Sequence, residues 1–215
     1  MPLEDLAQGL HSGARALGLT LTDGQCDRLL AYQTLILKWN RVYNLTAVRD
    51  PGDVLTHHLL DSLALLPPLR RQRRESARLL DVGSGAGLPG VVLAVMEPAL
   101  QVTCVDSVGK KASFIRQAAA DLRLPNLFAE HARVEALALP PFDVIAARAF
   151  ASLTDFTQLT RSLLAAGGIW MAMKGKAPVE ELAALPDDID VFHVEQLTVP
   201  GLPAERCLVW MRLKS

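Results

Sequence analysis

The stretch Leu79–Ala94, LLDVGSGAGLPGVVLA, decides the fold. Leu79 and Leu80 begin a short apolar run that passes through Asp81 and Val82 into Gly83, Gly85, Gly87 and Gly90, and Val91 to Met96 is apolar again. The pattern reads as a strand, a tight glycine turn and the first turns of a helix. Glycine tolerates the backbone angles that a sharp turn or a close ligand demands. A helix N-terminus adds unpaired N–H groups and the positive end of a dipole. A turn of this kind, at the carboxyl end of a strand, is where an open α/β sheet binds an adenine-type cofactor.

Gly85, Gly87 and Gly90 fit G-x-G-x-x-G, so a dinucleotide is one reading. Asp81 favours another. A carboxylate just ahead of the first glycine would repel a pyrophosphate, but it suits a ligand with a positive end and no phosphate. S-adenosylmethionine, with its sulfonium and α-amino group, is such a ligand. DVGSGAG resembles motif I of the Rossmann-like methyltransferases. A turn that binds nothing is the plainer alternative.

Downstream, strands and helices alternate. The pattern predicts strands at Arg78–Val82, Gln101–Val105, Asn126–Ala129, Asp143–Ala147 and Ile169–Met173. Helices are expected from Pro89, over Lys110–Asp121, from Ser152 to Ala165 and near Pro178–Ala184, and two late strands at Asp190–Leu197 and Arg206–Leu213. Upstream, Leu3–Leu17 carries a helical apolar stripe, and a second helix, capped by Thr22 or Asp23, runs to about Trp39. A loop, NRVYNLTAVRDP, follows, then a third helix from Pro51 to Pro67-Pro68. The expected division is residues 1–77, a helical cap with a basic linker, and residues 78–215, a Rossmann-like domain.

The chain has 215 residues, half of them hydrophobic, and a net charge of −1, so it is no general polyanion binder. Arg70, Arg71, Arg73, Arg74 and Arg78 crowd before the first strand, either as a solvated linker or, with Lys110 and Lys111, as phosphate contacts. Cys26, Cys104 and Cys207 are scattered, which fits a reducing cytoplasm and argues against zinc or disulfides. No metal is expected. Nothing resembles a signal peptide, and no run of about 20 apolar residues would span a membrane.

In such a sheet the chemistry lies at the carboxyl ends of the strands. Those ends read Gly83–Gly90, Asp106, Val134-Glu135, Arg148 and Lys174. Asp106 can accept both ribose hydroxyls, or cap the next helix. Val134-Glu135 suits an adenine ring, or is an ordinary loop, and Leu88 would touch the ligand or the core. Arg148 ends the apolar run VIAA and must face a cleft or a partner, because an unpaired buried guanidinium is costly. Lys174 meets a phosphate or caps a helix. Trp39, Asn40, Tyr43 and Asn44 either contact RNA or pin the cap to the core. His57 and Asp61 share a helix face.

The fourth strand lacks the N/D-P-P-Y/F motif of adenine amino methylation, and Cys104 sits inside a strand, so no C5-pyrimidine nucleophile is in view. No proton-accepting residue stands out. An acceptor with its own lone pair needs none, and guanine N7 is such an atom. Catalysis then reduces to in-line positioning and exclusion of water.

LDVGSGAGLPG, VDSVGKKASFIRQ, RVE and ARAFASL occur in this order, preceded by KWNRVYNLTAV and HHLLDSLALL. The set is similar to the ribosomal small-subunit methyltransferase G family, also called glucose-inhibited division protein B. The likeness covers roughly Thr22 to Leu213. It implies a class I S-adenosylmethionine-dependent methyltransferase sheet with an N-terminal helical extension. The implied reaction is methylation of N7 of one guanine in the 530 loop of 16S ribosomal RNA (guanine 527 in the usual 16S numbering). The resemblance implies cofactor contacts at Gly83, Leu88, Val134, Glu135 and Arg148, and Asp106 matches the family's acid after the second strand. Gly85 joins the expected cofactor set. Arg148 would lie between cofactor and target as the catalytic residue. The expected partner is 16S RNA inside a small-subunit particle, and the expected form a monomer with no membrane association. A dinucleotide oxidoreductase and an RNA-binding assembly factor with a vestigial pocket are the competing readings.

Overall fold

A computed structural model describes residues 2–72, 77–148 and 150–214. The N-terminal third comprises α1 (Leu3–Ala16), α2 (Asp23–Tyr43), α3 (Pro51–Val54), a π-helical segment (Leu55–Leu60), α4 (Asp61–Leu63) and α5 (Leu66–Gln72). The strands are β1 (Arg78–Val82), β2 (Gln101–Asp106), β3 (Leu127–His131), β4 (Phe142–Ala147), β5 (Leu164–Lys174), β6 (Ile189–Leu197) and β7 (Arg206–Leu213). They form one sheet in the order β3-β2-β1-β4-β5-β7-β6. The first five run parallel, and β7 is antiparallel to both β5 and β6. The strand order reverses between β1 and β4, which opens a crevice at the carboxyl ends.

The apolar runs are explained by burial on both faces. Leu79 and Val144 contribute to one core, and Leu80 and Ile145 to the other, with the period-2 alternation of a strand. The first core also contains Leu10, Leu29, Ile36, Leu59 and Leu63, so the N-terminal helices and the sheet share one apolar cluster. The connecting helices are α6 (Gly90–Met96), α7 (Gly109–Asp121), α8 (Leu153–Thr160) and α9 (Val179–Ala183).

Several boundaries differ from expectation for identifiable reasons. Thr22, not Asp23, caps α2: its hydroxyl accepts from Gln25 N–H while the Gln25 side chain accepts from Thr22 N–H, a reciprocal box. The helix continues past Trp39 because Trp39 packs edge-on against Phe114, with centroids 5.4 Å apart. Asn40, a turn signal by composition, is buried, donating to Val48 C=O and accepting from Thr46 N–H. The stop comes at Asn44, in the left-handed region at φ 50°.

The third helix begins at Pro51, capped by Asp50, but it widens into the π segment and the chain does not leave helix at Pro67-Pro68. Both prolines sit in the first turn of α5, where a missing N–H has no helical partner to lose. Arg70 and Arg71 therefore lie on a helix, not in a linker. They pair with Glu97 at 2.7 Å and with Glu195 at 2.6 Å. Arg78 is held by the carbonyls of Pro140 and Pro141 and lies over the Phe142 ring. Arg73 and Arg74 fall outside the described residues. The helix capped by Ser152 ends at Thr160 and not at Ala165, because Leu164 already pairs with Phe142 as the start of β5.

Candidate active site

The glycine turn is built from main-chain bonds. Gly83 N–H and Ser84 N–H both donate to Val105 C=O, and Gly87 and Leu88 N–H donate to Ser84 C=O. Gly83 has φ +65°, and a Cβ there would meet nothing within 4 Å, so bare backbone faces the space beside it. That space is a cleft of about 390 Å³ at the carboxyl ends of β1 and β2. Gly83, Asp106, Val134 and Glu135, four of the residues expected there, line it together with Val82, Val105, Phe150 and Leu159.

Asp106 is buried and connects the turn to α7. One carboxylate oxygen accepts from Gly85 N–H at 2.9 Å and the other from Val108 N–H at 2.9 Å, while the Lys111 ammonium lies 3.8 Å away. It thus closes the turn that leads into α7 without capping the helix, and stands at the cleft wall. Gly85 enters through that bond. Leu88 is packed in the core behind the turn and does not line the cleft.

Asp81, read from sequence as facing a ligand, points inward. It is fully buried, accepts from Gly90 N–H at 2.9 Å, and lies beside the Cys104 thiol. Its second oxygen has no partner. Burial pushes its pKa up to about 7, against the opposing pull of the Gly90 N–H and Arg148. A Cβ at Gly90 would strike Cys104 Sγ and come within 2.8 Å of Asp81 Oδ2, so glycine is required for this close approach. Tyr32 supports the turn from the opposite side, its hydroxyl reaching Ala86 C=O.

Arg148 does not line the cleft. It lines a neighbouring cavity of about 350 Å³ with Val48, His57, His58, Asp61, Met173, Lys174, Gly175 and Arg206. Phe150, two residues further on, lines the cleft, so the loop after β4 serves both spaces. Arg148 Nη1 lies 3.3 Å from Asp61 Oδ2 and donates to His57 C=O, and Arg206 Nε donates to Asp61 Oδ1 at 2.7 Å. His57 and Asp61 thus come from the π segment and the turn after it, the kind of helix distortion that recurs at functional sites. Lys174 meets Glu181 at 2.8 Å and Phe150 C=O at 3.3 Å. His58 is buried, with Nε2 on the Thr46 hydroxyl and Nδ1 without a partner. Burial, then the nearby Arg148, lowers its pKa to about 4.

Trp39 and Asn40 are structural, as the packing above shows. Tyr43 is exposed, with the Lys110 ammonium 5.4 Å from its ring centre. Arg206, His58 and Tyr32 escaped the sequence reading. Arg206 and Tyr32 lie on a late strand and an early helix, and only the tertiary fold brings them to the site. Among the described residues no helix is long and apolar enough to cross a membrane.

The model of a family described as rRNA small subunit methyltransferase G matches residues 25–209. The ribosomal RNA small subunit methyltransferase G of a Polaromonas species is 63% identical over 213 residues, covering 97% of this chain and 94% of the relative. That of Leptothrix cholodnii is 63% identical over 207 residues, covering 96% and 95%. Among solved structures, TrmN from Thermus thermophilus is similar with a TM-score of 0.60 and 22% identity, covering 74% of this chain and 53% of that one. The glycopeptide N-methyltransferase MtfA complexed with sinefungin has a TM-score of 0.58 and 13% identity, covering 72% and 87%. These two likenesses describe the fold.

Proposed function

The chain belongs to the rRNA small subunit methyltransferase G family, and from that premise we propose that it methylates N7 of one guanine in the 530 loop of 16S ribosomal RNA. S-adenosylmethionine is the methyl donor, the substrate is a small-subunit particle, and the protein works as a cytoplasmic monomer. Residues 1–77 serve as the helical cap and residues 78–215 as the methyltransferase domain.

The cleft fits that donor. Val105, Val134, Phe150 and Leu159 offer apolar walls for a ring, and the glycine backbone at Gly83 leaves room for close approach. Each Asp106 oxygen holds one N–H and keeps a lone pair that a ribose hydroxyl can use. Gly85 and Leu88 shape the turn from within and behind, and Glu135 stands at the wall near Val134. Bound S-adenosylmethionine supplies a methyl group on a sulfonium, which needs only an aligned lone pair. Arg148, in the adjoining cavity, positions the acceptor beside the cleft.

Three of the titratable groups that line the two spaces are poorly placed to act as a base, which supports transfer without one. Asp61 is held by two guanidinium groups, Asp106 by two N–H donors, and His58 is too weak a base at a pKa of about 4. Guanine N7 carries no proton and asks for no base. The observation that carries the proposal is the adjacency of an apolar, carboxylate-edged cleft and a cationic cavity across one loop. The test is transfer of radiolabelled methyl onto small subunits lacking the modification. Label recovered as 7-methylguanosine from 16S RNA is expected. Label in another nucleoside, or none despite cofactor binding, overturns the reading.

A further inference from the structure

We propose that the cavity bounded by Arg148, Lys174 and Arg206 is a phosphate site, which takes a phosphodiester group of the RNA next to the acceptor nucleotide. This rests on the RNA methyltransferase reading above and names a subsite within it.

The first argument is charge. Three cationic side chains line this space and one carboxylate, Asp61, opposes them there. Lys174 is neutralised by Glu181, but Asp61 must serve both Arg148 and Arg206 while only 2% of its side chain is exposed. Two guanidinium groups on one acid leave an excess positive charge in a mostly desolvated place, which a bound anion would offset.

The second argument is the geometry of the free donors. Arg148 uses Nη1 for both of its bonds, and Arg206 uses Nε and Nη1. Nε and Nη2 of Arg148, and Nη2 of Arg206, have no partner among the described residues. Both side chains retain some exposure, 23% and 20%. One buried carboxylate therefore holds two guanidinium groups in place with unused N–H donors. Two preorganised forks are the arrangement that recognises phosphate oxygens best. The volume of about 350 Å³ leaves room for sugar as well as phosphate.

The test uses the full chain with Arg206→Gln and Arg206→Lys. Arg206 does not line the cofactor cleft, so the affinity for S-adenosylhomocysteine is expected to stay within about twofold of wild type. The KM for undermethylated subunits is expected to rise about tenfold in Arg206→Gln and less in Arg206→Lys. Inorganic phosphate should raise the thermal midpoint of the wild-type protein, compete with subunits in the transfer assay, and do both more weakly in either variant. Unchanged KM and unchanged phosphate response in the folded variants overturn the site. Should Arg206→Gln not fold, the Arg206→Lys protein and the wild-type phosphate response decide alone. A wild-type protein that binds phosphate through Arg206 yet methylates no subunit RNA would instead overturn the parent reading.

Discussion

The hydroxyl of Tyr32 donates to the main-chain carbonyl of Ala86 at 2.5 Å, joining α2 to the middle of the glycine turn. The ring is fully buried, and that burial holds its pKa well above the ordinary tyrosine value. Tyr32→Phe removes one oxygen and leaves the Ala86 carbonyl without its partner. The expected outcome is a stability loss of about 1–3 kcal/mol, read by urea unfolding. A severalfold weaker affinity for S-adenosylhomocysteine, read by calorimetry, should accompany it. A variant as stable and as tight as wild type would show that the turn holds itself.

Asp81 separates two readings of the same acid. If its task is to hold Gly90 N–H, Asp81→Asn keeps an acceptor there and cofactor affinity changes little. Asp81→Ala leaves that donor unpaired, at a cost of about 1–3 kcal/mol. Loss of cofactor affinity in a stable Asn variant would return the carboxylate to the ligand. The pH dependence has a definite sign. The folded pKa of about 7 lies above the ordinary 3.8, so the folded state keeps its proton longer. Stability from this group therefore declines as pH rises from about 4 through 7, and Asp81→Asn removes that decline.

His58 acts with the opposite sign. Its folded pKa of about 4 lies below the ordinary 6.5, so the unfolded chain takes up a proton first. Its contribution is complete above pH 6.5 and is lost as pH falls toward 4, by about 3 kcal/mol at most. Denaturant midpoints of wild type and His58→Gln across that range should diverge at the alkaline end and converge at the acid end. Parallel curves would show that the imidazole is not held neutral.

Two glycines of one turn should respond differently to alanine. At Gly90 the new methyl meets Cys104 and Asp81, both buried, so Gly90→Ala is expected to lose several kcal/mol or fail to fold. At Gly83 the methyl finds open space, and the cost is the positive φ, about 1 kcal/mol. Gly83→Ala should fold, with cofactor affinity reduced because the methyl enters the cleft. Calorimetry on the two purified proteins distinguishes the cases; equal thermal stability would contradict both assignments.

The sheet was legible because buried parallel strands write themselves as short apolar runs, each ending on a residue of different chemistry: Gly83, Asp106, Arg148 and Lys174. Cap residues such as Thr22 and Ser152 were legible for the same local reason. Direction was not. The spacing that puts Asp81 before the glycines does not say which way its carboxylate turns, and that is decided by Gly90 N–H, nine residues on. Asn40 reads as a loop residue until Val48 and Thr46 satisfy its amide. The arginines before β1 read as a basic patch, yet Glu97 and Glu195, far along the chain, occupy two of them. The second guanidinium on Asp61, that of Arg206, comes from β7, whose sequence carries no motif of its own.

Asp61 and Arg206 stand 145 positions apart. The acid belongs to the N-terminal helices and its second guanidinium to the last strand, so the cationic cavity exists only where the two ends of the chain meet, while the cleft beside it is lined wholly from residues 82–159. The strand that brings Arg206 also carries Leu208 and Trp210 into one core and Val209 and Met211 into the other. The closing of the cavity and the completion of the sheet are therefore one event, and a chain cut before Arg206 would forfeit both.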